Sequence, residues 1–251
     1  MEPYIFFLDI DGTLAAGGKV PEENVRAIIK AQEKGHYVVI NTGRSYAHIS
    51  DGIINAAPYD GIVCGLGTDI RIHEEQIFSQ PLSQGILGKI VKAFREAKDI
   101  FVIFEGEDAL YYMGDFYVPE NGIKVSYAED WEEKYPNAKI SKFTHSTIQE
   151  EPLKFLYDVL TPYHHPTYSE YGQKGCTKAK GMEIVANKLG VPIEQCVAIG
   201  DSANDIEMLT SAGIAVAMGN ATEDVKELAD FVTGNAWDAG VAEAIYKLIC
   251  P

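Results

Sequence analysis

The chain has 251 residues, enough for one large domain or two smaller ones, and 46% of them are hydrophobic, as in a protein with a real core. Its formal net charge of -16 argues against nucleic acid and anionic membrane as partners, because both reward clustered Lys and Arg. A phosphorylated small molecule remains admissible, since a local cation or metal can reverse the sign inside one cleft.

The N-terminal run "YIFFLD" is short, apolar and rich in β-formers, which predicts a strand buried on both faces and therefore parallel and central. It lacks the basic flank and cleavage site of a signal peptide, and no apolar run in the chain is long enough to span a bilayer. "VPEENVRAIIKAQEKG" follows as a helix, with Pro21 at its start, acids in its first turn and Gly35 as a stop. "YVVINTGR" predicts a second buried strand, "SYAHISDGIINAA" a helix and "GIVCG" a third strand. This alternation is the pattern of a doubly wound α/β sheet.

From about Ser83 the texture changes. "SQGILGKIVKAFREAK" and "TIQEEPLKFLYDVL" are predicted helices; "IFVIFE", "ALYYMG" and "HPTYSEYG" are predicted strands, an α+β mixture. Trp131, set among acids in "EDWEEKYP", is expected in an exposed loop or helix edge. His145, His164 and His165 have no metal-ligand spacing and are expected at the surface or a hinge. Near Gly175 the βα rhythm resumes with "TKAKGMEIVANKLG", "CVAIGD", "SANDIEMLTSAG", "IAVAMG", "ATEDVKELA", "FVT" and "DAGVAEAIYKLI". The expected organisation is a discontinuous core, residues 1–82 and 172–251, interrupted by an inserted domain at 83–171. Cys64, Cys176, Cys196 and Cys250 form no CxxC pair and are expected as reduced structural thiols, consistent with a cytoplasmic protein.

Two predicted strands end in acids, in "LDIDGT" and "IGDSANDIEM". Ligands of open α/β sheets bind beyond the carboxyl ends of the strands, so Asp9, Asp11, Asp201 and Asp205 are candidates for one crevice. Any one of them reads equally well as a helix cap. Together they repel unless a cation neutralises them, and an all-oxygen donor set selects Mg²⁺ over zinc. In "NTGR", Thr42 offers a hydroxyl and Gly43 a closely approachable N–H, a candidate anion cradle. Lys178 opens a helix, where a cation is mildly unfavourable unless an anion sits beside it.

"DIDGT", "NTGR", the helix-opening Lys178 and "GDSANDIEM", in that order and with a large insertion between the second and third, resemble the haloacid dehalogenase superfamily. The similarity is to the Cof-type phosphatases with a C2-type cap, and "AVAMGNATEDVKELADFVT" resembles their C-terminal signature. The resemblance implies a Rossmann-like parallel-sheet core with an inserted α+β cap. It also implies a Mg²⁺-dependent phosphatase acting on a small phosphorylated metabolite, with a sugar phosphate as the leading candidate.

Under that resemblance Asp9 is the nucleophile and Asp11 the general acid and base. Asp9, the Asp11 carbonyl, Asp201 and Asp205 hold Mg²⁺. Thr42, Gly43 and Lys178 hold the phosphoryl oxygens, and Asn204 orients phosphate or Lys178. Arg44 is a candidate substrate contact and equally a surface arginine paired with acids. Leu66 stands in "CGLGTD" where the subfamily carries Asn. The cap is expected to close over the cleft, with hinges near 80–84 and 169–175, in a monomer or weak homo-oligomer. Two alternatives stay open: a phosphotransferase or phosphomutase of the same superfamily, and a non-enzymatic phospho-aspartate signalling protein.

Overall fold

Four consecutive residues of β1 (Ile5–Leu8), Ile5, Phe6, Phe7 and Leu8, are fully buried, as expected of a strand covered on both faces. The computed structural model describes residues 2–94, 101–114, 118–126, 130–146, 151–164 and 167–250. β1 lies inside an eight-stranded sheet, between β2 (Tyr37–Asn41) and β12 (Cys196–Gly200), and is parallel to both.

Outward from β2 come β3 (Gly61–Cys64), β4 (Asp69–Ile72) and β5 (Glu75–Ser79); outward from β12 come β13 (Ile214–Ala217) and β14 (Phe231–Val232). The pairs from β14 through β3 are parallel, and β3–β4 is antiparallel. Chain order therefore departs in both directions from β1. That is the doubly wound, Rossmann-like α/β core read from the sequence, and its switch point falls at the carboxyl end of β1.

The helices of this unit are amphipathic. α1 (Glu22–Glu33) buries Ala27, Ile28 and Ala31 and packs against α8 (Gly240–Ile249). α5 (Lys178–Leu189) packs against α6 (Ile206–Ser211) and over β2 and β3. α2 (Asp51–Ile54) is much shorter than the helix expected there, and a 3₁₀ turn at Tyr46–His48 precedes it. α7 (Glu223–Glu227) lies between β13 and β14 in the chain. β4 and β5 were not foreseen. Asp69 is wholly buried in β4 and is satisfied by Arg71 and by the Gln76 side chain at 2.8 Å, a pairing that no apolar run advertises.

By contact density residues 1–43, 49–78 and 177–251 form one compact unit, and residues 44–48 and 79–176 a second. The second unit is built on a six-stranded sheet. It comprises β6 (Val102–Gly106), β7 (Leu110–Met113), β8 (Ile123–Lys124), β9 (Ile140–Ser146), β10 (Leu160–His164) and β11 (Tyr168–Gln173), in the order β10-β11-β9-β6-β7-β8. Val102, Phe104, Phe143 and Tyr171 form one apolar cluster with Leu87, Ile90 and Phe94 of α3 (Gln84–Phe94) and Trp131 of α4 (Trp131–Lys134).

Three expectations fail here. Trp131 is 1% exposed, packs on Phe104 at 4.9 Å and donates its indole N–H to Gln84 Oε1 at 2.8 Å; the acids around it form the outer face of a short helix whose inner face it supplies. His145 is not a surface residue. Its ring is buried among Phe94, Phe143 and Tyr171, and that burial pushes it below the usual imidazole range. "TIQEEPLKFLYDVL" is not a long helix over its described part: a 3₁₀ segment spans Glu151–Leu156, and Leu160 already starts β10. His165 and the segment 147–150 lie outside the described residues.

The sheet strands of the second unit also carry a buried ionic ladder. Glu105 ion-pairs Lys142 at 3.3 Å, accepts from Thr144 Oγ1 at 2.9 Å and meets His48 Nδ1 at 2.9 Å; Lys142 also reaches Glu170 at 3.2 Å. Burial pushes the Glu105 carboxyl up, but Lys142, His48 and Thr144 outweigh it and hold the group at about 2.

Candidate active site

β1 and β12 are adjacent and parallel, so the residues that follow them emerge side by side. Asp9 continues the ladder by one bond, its N–H to Ile199 O at 3.1 Å, and Asp201 is the first residue past Gly200. Two glycines make the close approach possible. A Cβ on Gly12, whose φ is +77°, would stand 2.5 Å from Asp201 Oδ2. A Cβ on Gly200 would stand 2.5 Å from Asp205 Cγ. Any side chain at these two positions would collide with Asp201 or Asp205.

Asp9, Asp201 and Asp205 each offer a carboxylate oxygen, all within 4.8 Å of one another. Lys178 enters from the first position of α5, its side chain fully buried, and donates from Nζ to Asp9 Oδ1 and Asp205 Oδ1 at 2.6 Å each. It also reaches Asn204 Oδ1 at 3.1 Å. Asp205 uses its second oxygen locally, accepting the N–H groups of Asp201 at 3.0 Å and Ser202 at 3.1 Å. It is thus at once a helix cap and a partner of Lys178, so the two readings of this acid do not compete. Asp11 is exposed, and its charge raises Asp201.

Burial pushes the Asp9 carboxyl up to about 7 even though the Lys178 ammonium pulls it down. Asp201 is pushed up to about 6, again by burial first, against a hydrogen bond from Thr13 Oγ1 at 3.0 Å. For Lys178 burial acts downward, yet Asp205 and Asp9 overcome it and keep the ammonium above its usual range. Three carboxyl groups share one ammonium, so in their ionised forms they carry two charges that it does not neutralise, in an all-oxygen donor set of which only Asp201 is half-exposed. That chemistry fits a hard divalent cation.

Thr42 is buried one residue beyond β2, held by its N–H to Val63 O at 2.9 Å. Gly43 follows it, and a Cβ there would meet Leu66 Cδ2 at 3.5 Å and Asn204 Nδ2 at 4.0 Å, so Gly43 lies beside Asn204. Leu66 occupies the left-handed region with φ 59°, and its N–H reaches Thr42 O at 3.3 Å. Arg44 belongs to the second unit, where its Nη1 donates to His48 O at 3.2 Å.

Two further residues brace the site and were not singled out from the sequence. Thr13 holds Asp201. Asn220 donates to Gly12 O at 2.8 Å and accepts from Ala236 N–H at 2.8 Å, tying the turn after Asp9 to the C-terminal third of the chain. An Asn following a buried strand and a glycine, in "AMGNATED", was the available signal.

The family of haloacid dehalogenase-like hydrolases matches residues 6–245. The chain belongs to that family. Among curated proteins, this hydrolase is 28% identical to the putative phosphatase YkrA of Bacillus subtilis, over 99% of this chain and 98% of that one. It is 29% identical to the 5-amino-6-(5-phospho-D-ribitylamino)uracil phosphatase YcsE of the same organism, over 95% and 92% respectively. Among solved structures it superposes on BT4131, described as a HAD subclass IIB sugar phosphatase, with a TM-score of 0.80 and 30% identity across 98% of both chains. Fold and relatives together make this haloacid dehalogenase-like hydrolase a phosphatase acting on a small phosphorylated substrate.

Proposed function

We propose that the protein is a Mg²⁺-dependent phosphatase that hydrolyses a sugar or polyol phosphate through an aspartyl-phosphate at Asp9. The observation that carries this reading is the convergence of Asp9, Asp201 and Asp205 within 4.8 Å around the buried ammonium of Lys178. The substrate class is supported by the relatives, one described as a sugar phosphatase and one as acting on a phosphoribityl compound.

Asp9 supplies the attacking carboxylate oxygen, and its bond to phosphorus forms as the ester oxygen departs. Asp11, two residues on and exposed, gives its proton to that leaving oxygen. It then takes a proton from the water that attacks phosphorus, so that orthophosphate leaves and Asp9 is regenerated. Lys178, Thr42 and the Gly43 N–H hold the phosphoryl oxygens as charge spreads over them, and Asn204 orients Lys178. Asp9, Asp201 and Asp205 would hold Mg²⁺, which supplies positive charge against the phosphoryl oxygens.

The test is Asp9→Asn, assayed on p-nitrophenyl phosphate with Mg²⁺, with far-UV circular dichroism to confirm the fold. Hydrolysis should drop to background, and wild-type turnover should vanish in EDTA and return with MgCl₂. Turnover by a folded Asp9→Asn variant at the wild-type rate would remove Asp9 as nucleophile.

A further inference from the structure

β2 reads Tyr37, Val38, Val39 and Ile40 and then closes on Asn41, an amide where the strand is otherwise apolar. Asn41 is wholly buried. Its Nδ2 donates to the backbone carbonyl of Lys178 at 2.9 Å and lies 3.1 Å from Met208 Sδ. Its Oδ1 has no hydrogen-bond donor. Exchanging the amide oxygen and nitrogen does not help, because it would set Oδ1 against the same carbonyl and sulfur. The Lys178 carbonyl therefore decides the orientation.

A buried acceptor without a donor costs about 1–3 kcal/mol, and valine at the same strand end would avoid that cost. The destabilising amide thus makes one strong contact, and that contact ends on the backbone of the residue whose Nζ bridges Asp9 and Asp205. Lys178 sits at the first position of α5, where the helix dipole disfavours a cation, and the N-cap Thr177 spends its hydroxyl on Lys180 N–H rather than on Lys178.

We infer that Asn41 is a positioning residue for catalysis: it ties the start of α5 to the end of β2, so that the Lys178 ammonium falls between Asp9 and Asp205. This rests on the active-site reading given above. The bond links two elements whose ends both carry site groups, Thr42 after β2 and Lys178 at the head of α5. It places Lys178 through its backbone and leaves Nζ free to serve the carboxylates and the phosphoryl group.

The experiment compares Asn41→Val, Asn41→Ala, Lys178→Met and the double variant Asn41→Val/Lys178→Met. The readouts are urea midpoint, kcat and KM on p-nitrophenyl phosphate with Mg²⁺, and calorimetric binding of inorganic phosphate. Asn41→Val should keep or raise the urea midpoint, because it removes the unsatisfied acceptor. It should lower kcat about tenfold and raise KM by no more than its loss of affinity for inorganic phosphate, since both report the grip of Lys178 on the phosphoryl oxygens. Its loss of phosphate affinity should disappear in the Lys178→Met background, since coupled residues are not additive.

Three outcomes overturn the inference: Asn41→Val turning over within about twofold of wild type while Lys178→Met is inactive; an equal loss of phosphate affinity in both backgrounds, which would place the effect on Thr42; or unfolding of both Asn41→Val and Asn41→Ala, which would assign Asn41 to stability. Full activity in Lys178→Met would instead strike the active-site reading itself, and the inference with it.

Discussion

Replacing Lys178 with methionine tests the electrostatics of the site directly. The side chain stays unbranched and is only one heavy atom shorter, but the ammonium that stands 2.6 Å from both Asp9 Oδ1 and Asp205 Oδ1 is gone. Because Lys178 and Asp205 are fully buried, removing one partner leaves charges that water cannot reach, and such losses run to about 3–5 kcal/mol. The pH dependence carries the sign. Burial already raises Asp9 to about 7, and Lys178 is the group that pulls it down, so Asp9 in the variant rises further. A carboxyl with a folded pKa above its unfolded value of 3.8 binds its proton more tightly when folded; its contribution to stability falls as pH climbs through that window. The variant's deficit should therefore be smaller near pH 5, where Asp9 is protonated, than near pH 8. Urea denaturation in EDTA, followed by far-UV circular dichroism at both pH values, measures it. Excess MgCl₂ at pH 8 should narrow the gap by binding only the folded state. A deficit below about 1 kcal/mol at pH 8, the size expected of an exposed pair, would refute the reasoning, as would an equal deficit at both pH values.

Two predictions address the rest of the molecule. Glu105 is held at about 2 against an ordinary 4.5, which corresponds to about 3 kcal/mol of stability, present above about pH 4.5 and lost as pH falls toward 2. Glu105→Gln should flatten that part of the acid-unfolding curve, and a variant that tracks wild type from pH 5 to pH 2 would dismiss the ladder as a stabilising element. His73 and Glu74, exposed and with φ of 48° and 68°, join β4 to β5 in the left-handed conformation that favours Asn-Gly. Glu74→Gly should raise stability by about 0.5–1 kcal/mol and leave phosphatase turnover unchanged, whereas a lowered melting midpoint would show that the turn is unstrained.

Much of the core was legible because its signals are local. A strand buried on both faces must be apolar throughout, as Ile5–Leu8 and Cys196–Gly200 are, and a helix laid on a sheet must repeat its apolar residues every three to four positions. β4 and β5 escaped notice because Asp69, Arg71 and Gln76 satisfy one another across the turn between the two strands, so a buried strand carries polar residues. Trp131 and His145 were misplaced for a related reason: their neighbours in sequence are polar, while their neighbours in space are Phe104, Phe143 and Tyr171.

The sequence by itself determined that acids would stand at the ends of two parallel strands, since strand periodicity and the glycines beside Asp11 and Asp201 are written locally. Only the tertiary structure decided that β1 and β12 are neighbours, that Lys178 threads between Asp9 and Asp205, and that Asn220 and Asn41 brace the two sides. Those facts depend on which distant segments pack together. A hydrogen bond or an ion pair between residues more than a hundred positions apart leaves no periodic trace in the chain, and it exists only once burial of the sheet has brought its ends together.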